Sequence, residues 1–314
     1  MKAFVFPGQG SQFVGMGKDL YTAFTSAKEV FQEVDEALDQ PLSKIIFEGE
    51  ESQLGLTENT QPALMAVSVA VARVLEQHNP KIFSAENTKF FAGHSLGEYS
   101  ALTVGGAFTL SDCARLLRIR GQAMQKAVPV GVGAMAAVMG LEIEDLTEIT
   151  KAASDALYQV SIANDNSFGQ IVISGHKQAV EKAIELAKEK GAKRSIILPV
   201  SAPFHCALMQ PAADRMKEAL EKTYINNLSV PVIANVIARE VMEADQIREV
   251  LVQQVTGQVR WRESVLYMKS QNVTQLVELG AGKVLSGLTK RIDKDLAAIP
   301  IGNLADIEEF VKTF

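Results

Sequence analysis

Ten residues, Phe90-Phe91-Ala92-Gly93-His94-Ser95-Leu96-Gly97-Glu98-Tyr99, constrain this chain more than any others. Phe90 to Ala92 is an apolar run that reads as the end of a buried strand, and Leu96 to Val104 follows at once as a helix-forming run. Between them lies Gly-x-Ser-x-Gly, the pattern of a nucleophile elbow. A sharp strand-to-helix turn crowds neighbouring backbone, and glycine has no Cβ to collide there. Ser95 is therefore expected at the mouth of a helix with its hydroxyl exposed. The Leu96 N–H, unpaired at a helix start, is placed to face an oxyanion. The same pentapeptide also occurs as a plain Gly/Ser turn; the strand before it and the helix after it favour the elbow.

The 314 residues suffice for a large core, expected to divide into two lobes. A net charge of −6 lacks the basic footprint of a nucleic-acid binder. The two cysteines, Cys113 and Cys206, form no disulfide framework, which suits a reducing cytosol. No apolar run approaches the ~18 residues that span a membrane, and the apolar part of Met1 to Pro7 is too short for a signal peptide. A cytoplasmic enzyme is expected. His-Glu-x-x-His and paired-Cys motifs are missing, so no metal is expected.

Along the chain, Ala3 to Phe6 reads as a first strand. The loop Pro7-Gly8-Gln9-Gly10-Ser11-Gln12 reads as a turn into a helix ending near Leu38. The stretch Thr57-Glu58-Asn59-Thr60-Gln61-Pro62 is expected to start a second long helix, with Pro62 at the first helical position, where proline is well tolerated. Ser111 to Ala127 is the most informative helix. At roughly 100° per residue, Cys113, Leu116, Leu117, Ala123, Met124 and Ala127 share one face, and Arg120 falls in the middle of it. A buried guanidinium is costly unless acceptors meet it. Two readings stay open: an internal salt bridge, or a socket whose planar fork grips an anionic substrate.

From Val128 to Val200 the order becomes β-α-β-β-α-β, the ferredoxin-like arrangement, inserted into the larger unit. Its strands are read as Ala134 to Met139, Tyr158 to Ala163, Gln170 to Ser174 and Arg194 to Val200, with a turn from Asn164 to Gly169. Its helices are read as Glu144 to Ala153 and Gln178 to Lys190. His205 sits in Ser201-Ala202-Pro203-Phe204-His205-Cys206, where this lobe returns to the larger one. Of four histidines, His94 is locked in the elbow, while His78 and His176 read as solvated. A base for Ser95, if one is needed, is best sought in His205. The remainder returns to α/β alternation. There Gly280-Ala281-Gly282-Lys283 either binds phosphate or only turns the chain.

Taken together, these residues resemble the malonyl-CoA:acyl carrier protein transacylase family, nearly end to end. The motifs are Phe6-Pro7-Gly8-Gln9-Gly10-Ser11-Gln12, Thr60-Gln61-Pro62-Ala63, and Gly93 to Tyr99. Arg120-Gly121 with Met124-Gln125, Asn164-x-Asn166-Ser167 with Gln170 to Gly175, and His205 continue the match. Gln254-x-x-x-x-Val259-x-Trp261 and Gly282-Lys283-Val284-Leu285 complete it. Gln258 and Ala281 depart from it, standing where many relatives carry proline.

The resemblance implies Ser95 as nucleophile and His205 as general base, oriented by the backbone carbonyl of Gln254. It implies an oxyanion hole from the backbone N–H groups of Gln9 and Leu96, and Arg120 holding the malonyl carboxylate. Asn164, Asn166 and Phe204 are implied pocket residues, with Phe204 crowding the α-carbon against methylmalonyl groups. The implied fold is a large α/β-hydrolase-like domain (1–127 and 200–314) with a mostly parallel sheet, carrying a ferredoxin-like small domain (128–199). The implied partners are malonyl-CoA and acyl carrier protein, with no cofactor, no nucleic acid and no membrane; a monomer is expected. Lys188, Lys190, Lys193, Arg194, Lys283, Lys290 and Arg291 are candidate contacts to an acidic carrier. The rival is an α/β-hydrolase-type serine esterase. It needs a Ser…Asp/Glu…His order, often has a His-Gly-Gly-Gly loop, which is missing here, and leaves Arg120 unexplained.

Overall fold

Alternation along the first strand sets the layers of the molecule. Ala3 and Val5 join one buried apolar cluster, whereas Phe4 and Phe6 join another, so the strand is covered on both faces. The computed structural model describes residues 1–200 and 202–313. Among them are ten strands: β1 (Lys2–Phe6), β2 (Thr88–Gly93), β3 (Gly133–Met139), β4 (Val160–Ser167), β5 (Gln170–His176), β6 (Arg194–Ile197), β7 (Val232–Ala234), β8 (Arg239–Val241), β9 (Gln275–Leu279) and β10 (Ala297–Ile301).

Two sheets result. The first has the order β10-β9-β1-β2-β7-β8 and is parallel except for the β7–β8 pair. Helices cover both of its faces, as a parallel sheet requires. The second is antiparallel, in the order β4-β5-β3-β6, with the helices Ile143–Ala153 and Lys177–Glu189 between its strands in sequence. Its own period-2 pattern divides it: Ala136, Val138, Ile171 and Ile173 pack under those helices, while Met135 and Val172 join the core of the larger unit. The second sheet thus presents one face to the core of the larger unit.

Several expectations change. The helix expected to end at Leu38 is two helices, Lys18–Ala23 and Thr25–Leu38, because Phe24 is extended (φ −128°, ψ 125°). The helix expected to start near Pro62 starts at Thr57. Its first turn is pinned upstream, by Asn59 and Thr60 N–H bonds to the Leu56 carbonyl and by Thr60 Oγ1 to the Leu54 carbonyl at 2.6 Å. Pro62 is then interior and deprives the Glu58 carbonyl of its helical donor. Residues 164–167, read as a turn, extend β4, and only Phe168-Gly169 turn. Pairing on both sides overrides the turn-like composition: Asn164 and Asp165 pair with Val172 and Ile171, while Asp165 N–H bonds the Val259 carbonyl at 2.9 Å. His176 ends β5 instead of lying in a loop, and β6 stops at Ile197, short of Val200. Ser201 lies outside the described residues. The Gly280–Lys283 turn precedes a helix whose N-terminus is already satisfied. The buried Glu278 carboxylate accepts from the Leu285 and Ser286 N–H groups at 3.0 and 2.8 Å, which leaves the turn as its plain role.

Candidate active site

The elbow explains why the glycines are needed. A Cβ on Gly93 would lie 1.9 Å from the Gly97 carbonyl carbon, and one on Gly97 would lie 2.2 Å from the Phe6 carbonyl oxygen. Ser95 between them takes a left-handed φ of 54°, the strained geometry of a nucleophile elbow. The Ser95 N–H bonds Asn235 Oδ1 at 2.8 Å, so the hydroxyl turns into the cleft.

His205, also left-handed at φ 58°, meets that hydroxyl: its Nε2 lies 2.8 Å from Ser95 Oγ. Its Nδ1 lies 2.9 Å from the Gln254 carbonyl and 3.1 Å from the Gly257 carbonyl. Carbonyls only accept, so Nδ1 carries the hydrogen and Nε2 offers its lone pair to the serine. Burial, together with the Arg120 charge, pushes the imidazole pKa down to about 3, so it is neutral at pH 7 and ready to take a proton.

Arg120 is fully buried, and among the described residues it forms no ion pair. Its guanidinium donates to neutral acceptors: Gln61 Oε1 at 2.9 Å, Ser95 Oγ at 3.1 Å and Gln254 Oε1 at 2.9 Å. It also lies over the Tyr99 ring, 5.6 Å from its centre. Gly121 lets the helices Leu110–Lys126 and Thr57–His78 approach closely enough for this, since a Cβ there would be 2.6 Å from the Glu58 Cα. The open choice at Arg120 therefore resolves against an internal salt bridge.

Ser95, His205, Arg120 and Gln61 line one cavity of about 120 Å³ with Gln9, Leu96, His94, Met124, Met135, Asn164, Leu198, Val200 and Phe204. Neither the Gln9 nor the Leu96 N–H meets an acceptor among the described residues. Asn166 stands one step back, its Oδ1 2.8 Å from His94 Nε2.

Sequence reasoning missed three groups. Gln254 contributes its side chain as well as its carbonyl, Asn235 holds the elbow, and Glu98 accepts from both residues at 2.8–2.9 Å. Only Glu98 gave a signal: the single charged residue of its helix.

A serine activated by a neutral imidazole, beside unpaired donors and a cation without an ion-pair partner, suits acyl transfer from a carboxylated donor. The acyl transferase domain family matches residues 3–291. The chain belongs to the acyl transferase family. This acyl transferase is 47% identical over 311 residues to a malonyl CoA-acyl carrier protein transacylase of Bacillus subtilis (strain 168), covering 99% of this chain and 96% of that one. It superposes on the acyl-carrier-protein-S-malonyltransferase of Bartonella henselae with a TM-score of 0.96 at 54% identity, covering 99% and 98% of the two chains. A malonyl-transacylase in complex with its type II PKS acyl-carrier protein matches with a TM-score of 0.95 at 42% identity, covering 100% and 99%.

Proposed function

We propose that this acyl transferase moves a malonyl group from malonyl-CoA to the phosphopantetheine thiol of acyl carrier protein, through a malonyl ester on Ser95. The observation that carries this is the convergence of Ser95 Oγ with His205 Nε2 at 2.8 Å and an ion-pair-free Arg120 at 3.1 Å. The activities of its named relatives, one of them solved with its acyl-carrier protein, agree with it.

In the first half-reaction Ser95 Oγ attacks the thioester carbonyl and its proton passes to His205 Nε2. The oxyanion is met by the N–H groups of Gln9 and Leu96. The carbon–sulfur bond breaks, and the departing CoA sulfur takes the proton from His205. In the second half-reaction the carrier thiol gives its proton to His205 and its sulfur attacks the serine ester. The carbon–oxygen bond breaks, and Ser95 recovers its proton. Arg120 turns from Ser95 to the malonyl carboxylate, which it grips through two charge-assisted bonds. Serine, imidazole and guanidinium supply this chemistry without a resident cofactor.

The proposed frame is a large α/β-hydrolase-like domain (1–127 and 200–314) carrying a ferredoxin-like lobe (128–199). Among the described residues no helix is long and apolar enough to cross a membrane. We place the enzyme in the cytoplasm as a monomer. The carrier is assigned to one of two basic clusters, Lys188, Lys193 and Arg194 or Lys283, Lys290 and Arg291. Lys190 is partly balanced by Asp145 at 3.4 Å, which weakens its share. A competition assay tests the function: with malonyl-CoA and holo carrier, transfer must outrun hydrolysis. Rapid turnover of p-nitrophenyl esters without any transfer to the carrier thiol would favour the esterase instead.

A further inference from the structure

Behind the reacting groups lies a carboxylate that touches none of them. Glu98 stands three residues after Ser95, in the helix Gly97–Val104, and is fully buried. One oxygen, Oε2, accepts the Asn235 N–H at 2.9 Å and the Gln254 side-chain Nε2 at 2.8 Å. The other, Oε1, has no hydrogen-bond partner. A buried acid without a cation on it is a cost to the fold.

The arrangement has a consequence for Gln254. An amide has two unlike ends, an oxygen that only accepts and an NH2 that only donates. As a carboxylate, Glu98 only accepts, so the end of Gln254 that faces its Oε2 is the NH2. The same NH2 lies 3.1 Å from the Ser95 carbonyl, which also only accepts. The amide oxygen is thereby sent to Arg120 Nη2, at 2.9 Å. Reversal would set donors against the guanidinium and an oxygen against two acceptors. Glu98 also receives the backbone of Asn235, whose side chain spans the elbow from the Gly93 carbonyl at 2.7 Å to the Ser95 N–H at 2.8 Å.

We propose that Glu98 is a positioning residue for substrate selection: by fixing which end of the Gln254 amide faces Arg120, it aims the guanidinium at the carboxylate of the incoming acyl group. The inference rests on the reading of Arg120 as the carboxylate clamp. Glu98 acts through Gln254 and touches no substrate. Its loss therefore falls harder on acyl groups that carry a carboxylate than on those that do not.

The test compares acyl-serine formation from malonyl-CoA and from acetyl-CoA. Glu98→Met removes the acceptor at similar volume and lowers the malonyl-to-acetyl ratio of kcat/KM by about tenfold or more, the scale of one lost hydrogen bond to a charged group. Glu98→Gln returns an acceptor oxygen to the Oε2 position and recovers most of that ratio. Gln254→Met breaks the relay with Glu98 in place and lowers the ratio as Glu98→Met does, which keeps the test open if Glu98→Met folds poorly. Equal losses on both substrates in either Met variant, or no recovery in Glu98→Gln, overturn the proposal. Arg120→Ala separates the two ideas. An unchanged ratio there removes the clamp reading itself, whereas a collapsed ratio there with an unchanged one in Gln254→Met removes only the role of Glu98.

Discussion

The wall of the cleft built on the parallel sheet is polar and cross-linked, whereas the wall built on the antiparallel sheet is largely apolar and joined to it at few points. On the first wall Ser95, Arg120, His205, Asn235 and Gln254 hold one another at 2.8–3.1 Å. On the second, Met135 and Leu198 face the cavity, with Val200 and Phe204 on the returning segment. Among the described residues the polar crossings include the contact of His94 with Asn166, the Arg262–Asp165 ion pair at 2.9 Å, the Arg291–Gln170 side-chain bond, and the bonds of Val259 with Ala163 and Asp165. Stabilising developing charge requires dipoles that do not reorganise, so the chemical wall is locked. Excluding water and judging acyl shape require only a close apolar surface, so the selecting wall can tolerate substitution.

Four experiments break or sharpen that contrast. The largest effect is expected on the locked wall: Ser95→Ala or His205→Ala lowers transfer kcat by roughly 10⁴-fold or more, as loss of a nucleophile or its base does in serine hydrolases. Near-normal turnover in either variant would erase the distinction between the walls.

Next, Arg120→Ala lowers kcat/KM for malonyl-CoA by about 100-fold or more, since two charge-assisted bonds are lost, and spares acetyl-CoA. Its pH dependence carries a sign. The guanidinium helps hold the His205 pKa down, so its removal raises that pKa, and the acid limb for acetyl-CoA moves to higher pH. A limb that moves to lower pH contradicts the electrostatics.

On the selecting wall, Phe204→Ala raises kcat/KM for methylmalonyl-CoA about tenfold, the scale of one methyl group in a pocket. The malonyl-CoA value stays near that of the parent. Smallest of all, reversing the charges of Lys193 and Arg194 raises the KM for carrier by roughly threefold at low salt, and the effect fades as salt screens it. An unchanged KM places the carrier elsewhere.

The same contrast governs what the sequence made legible. Ser95 and Arg120 lie in local patterns, an elbow and a helix face, and both could be read from a few neighbours. His205 needed elimination among four histidines together with the family resemblance. The contacts that complete the locked wall span 134 to 159 residues, from Arg120 to Gln254 and from Ser95 to Gln254. No local periodicity encodes such pairs. Elements fail for a related reason. The far end of β4 has turn-like residues and becomes strand only because β5 and Val259 pair with it. The short strand β8 and the helices Leu42–Glu48 and Leu304–Val311 went unread, their few residues carrying too little pattern.

The central claim is that one serine carries the acyl group between donor and acceptor. Incubation with radiolabelled malonyl-CoA, without carrier, tests it most directly. The account predicts one label per chain, located on Ser95, absent in Ser95→Ala and discharged by added holo carrier. A label that persists in Ser95→Ala, or a wild-type chain that transfers malonyl to carrier without ever holding label, would contradict it.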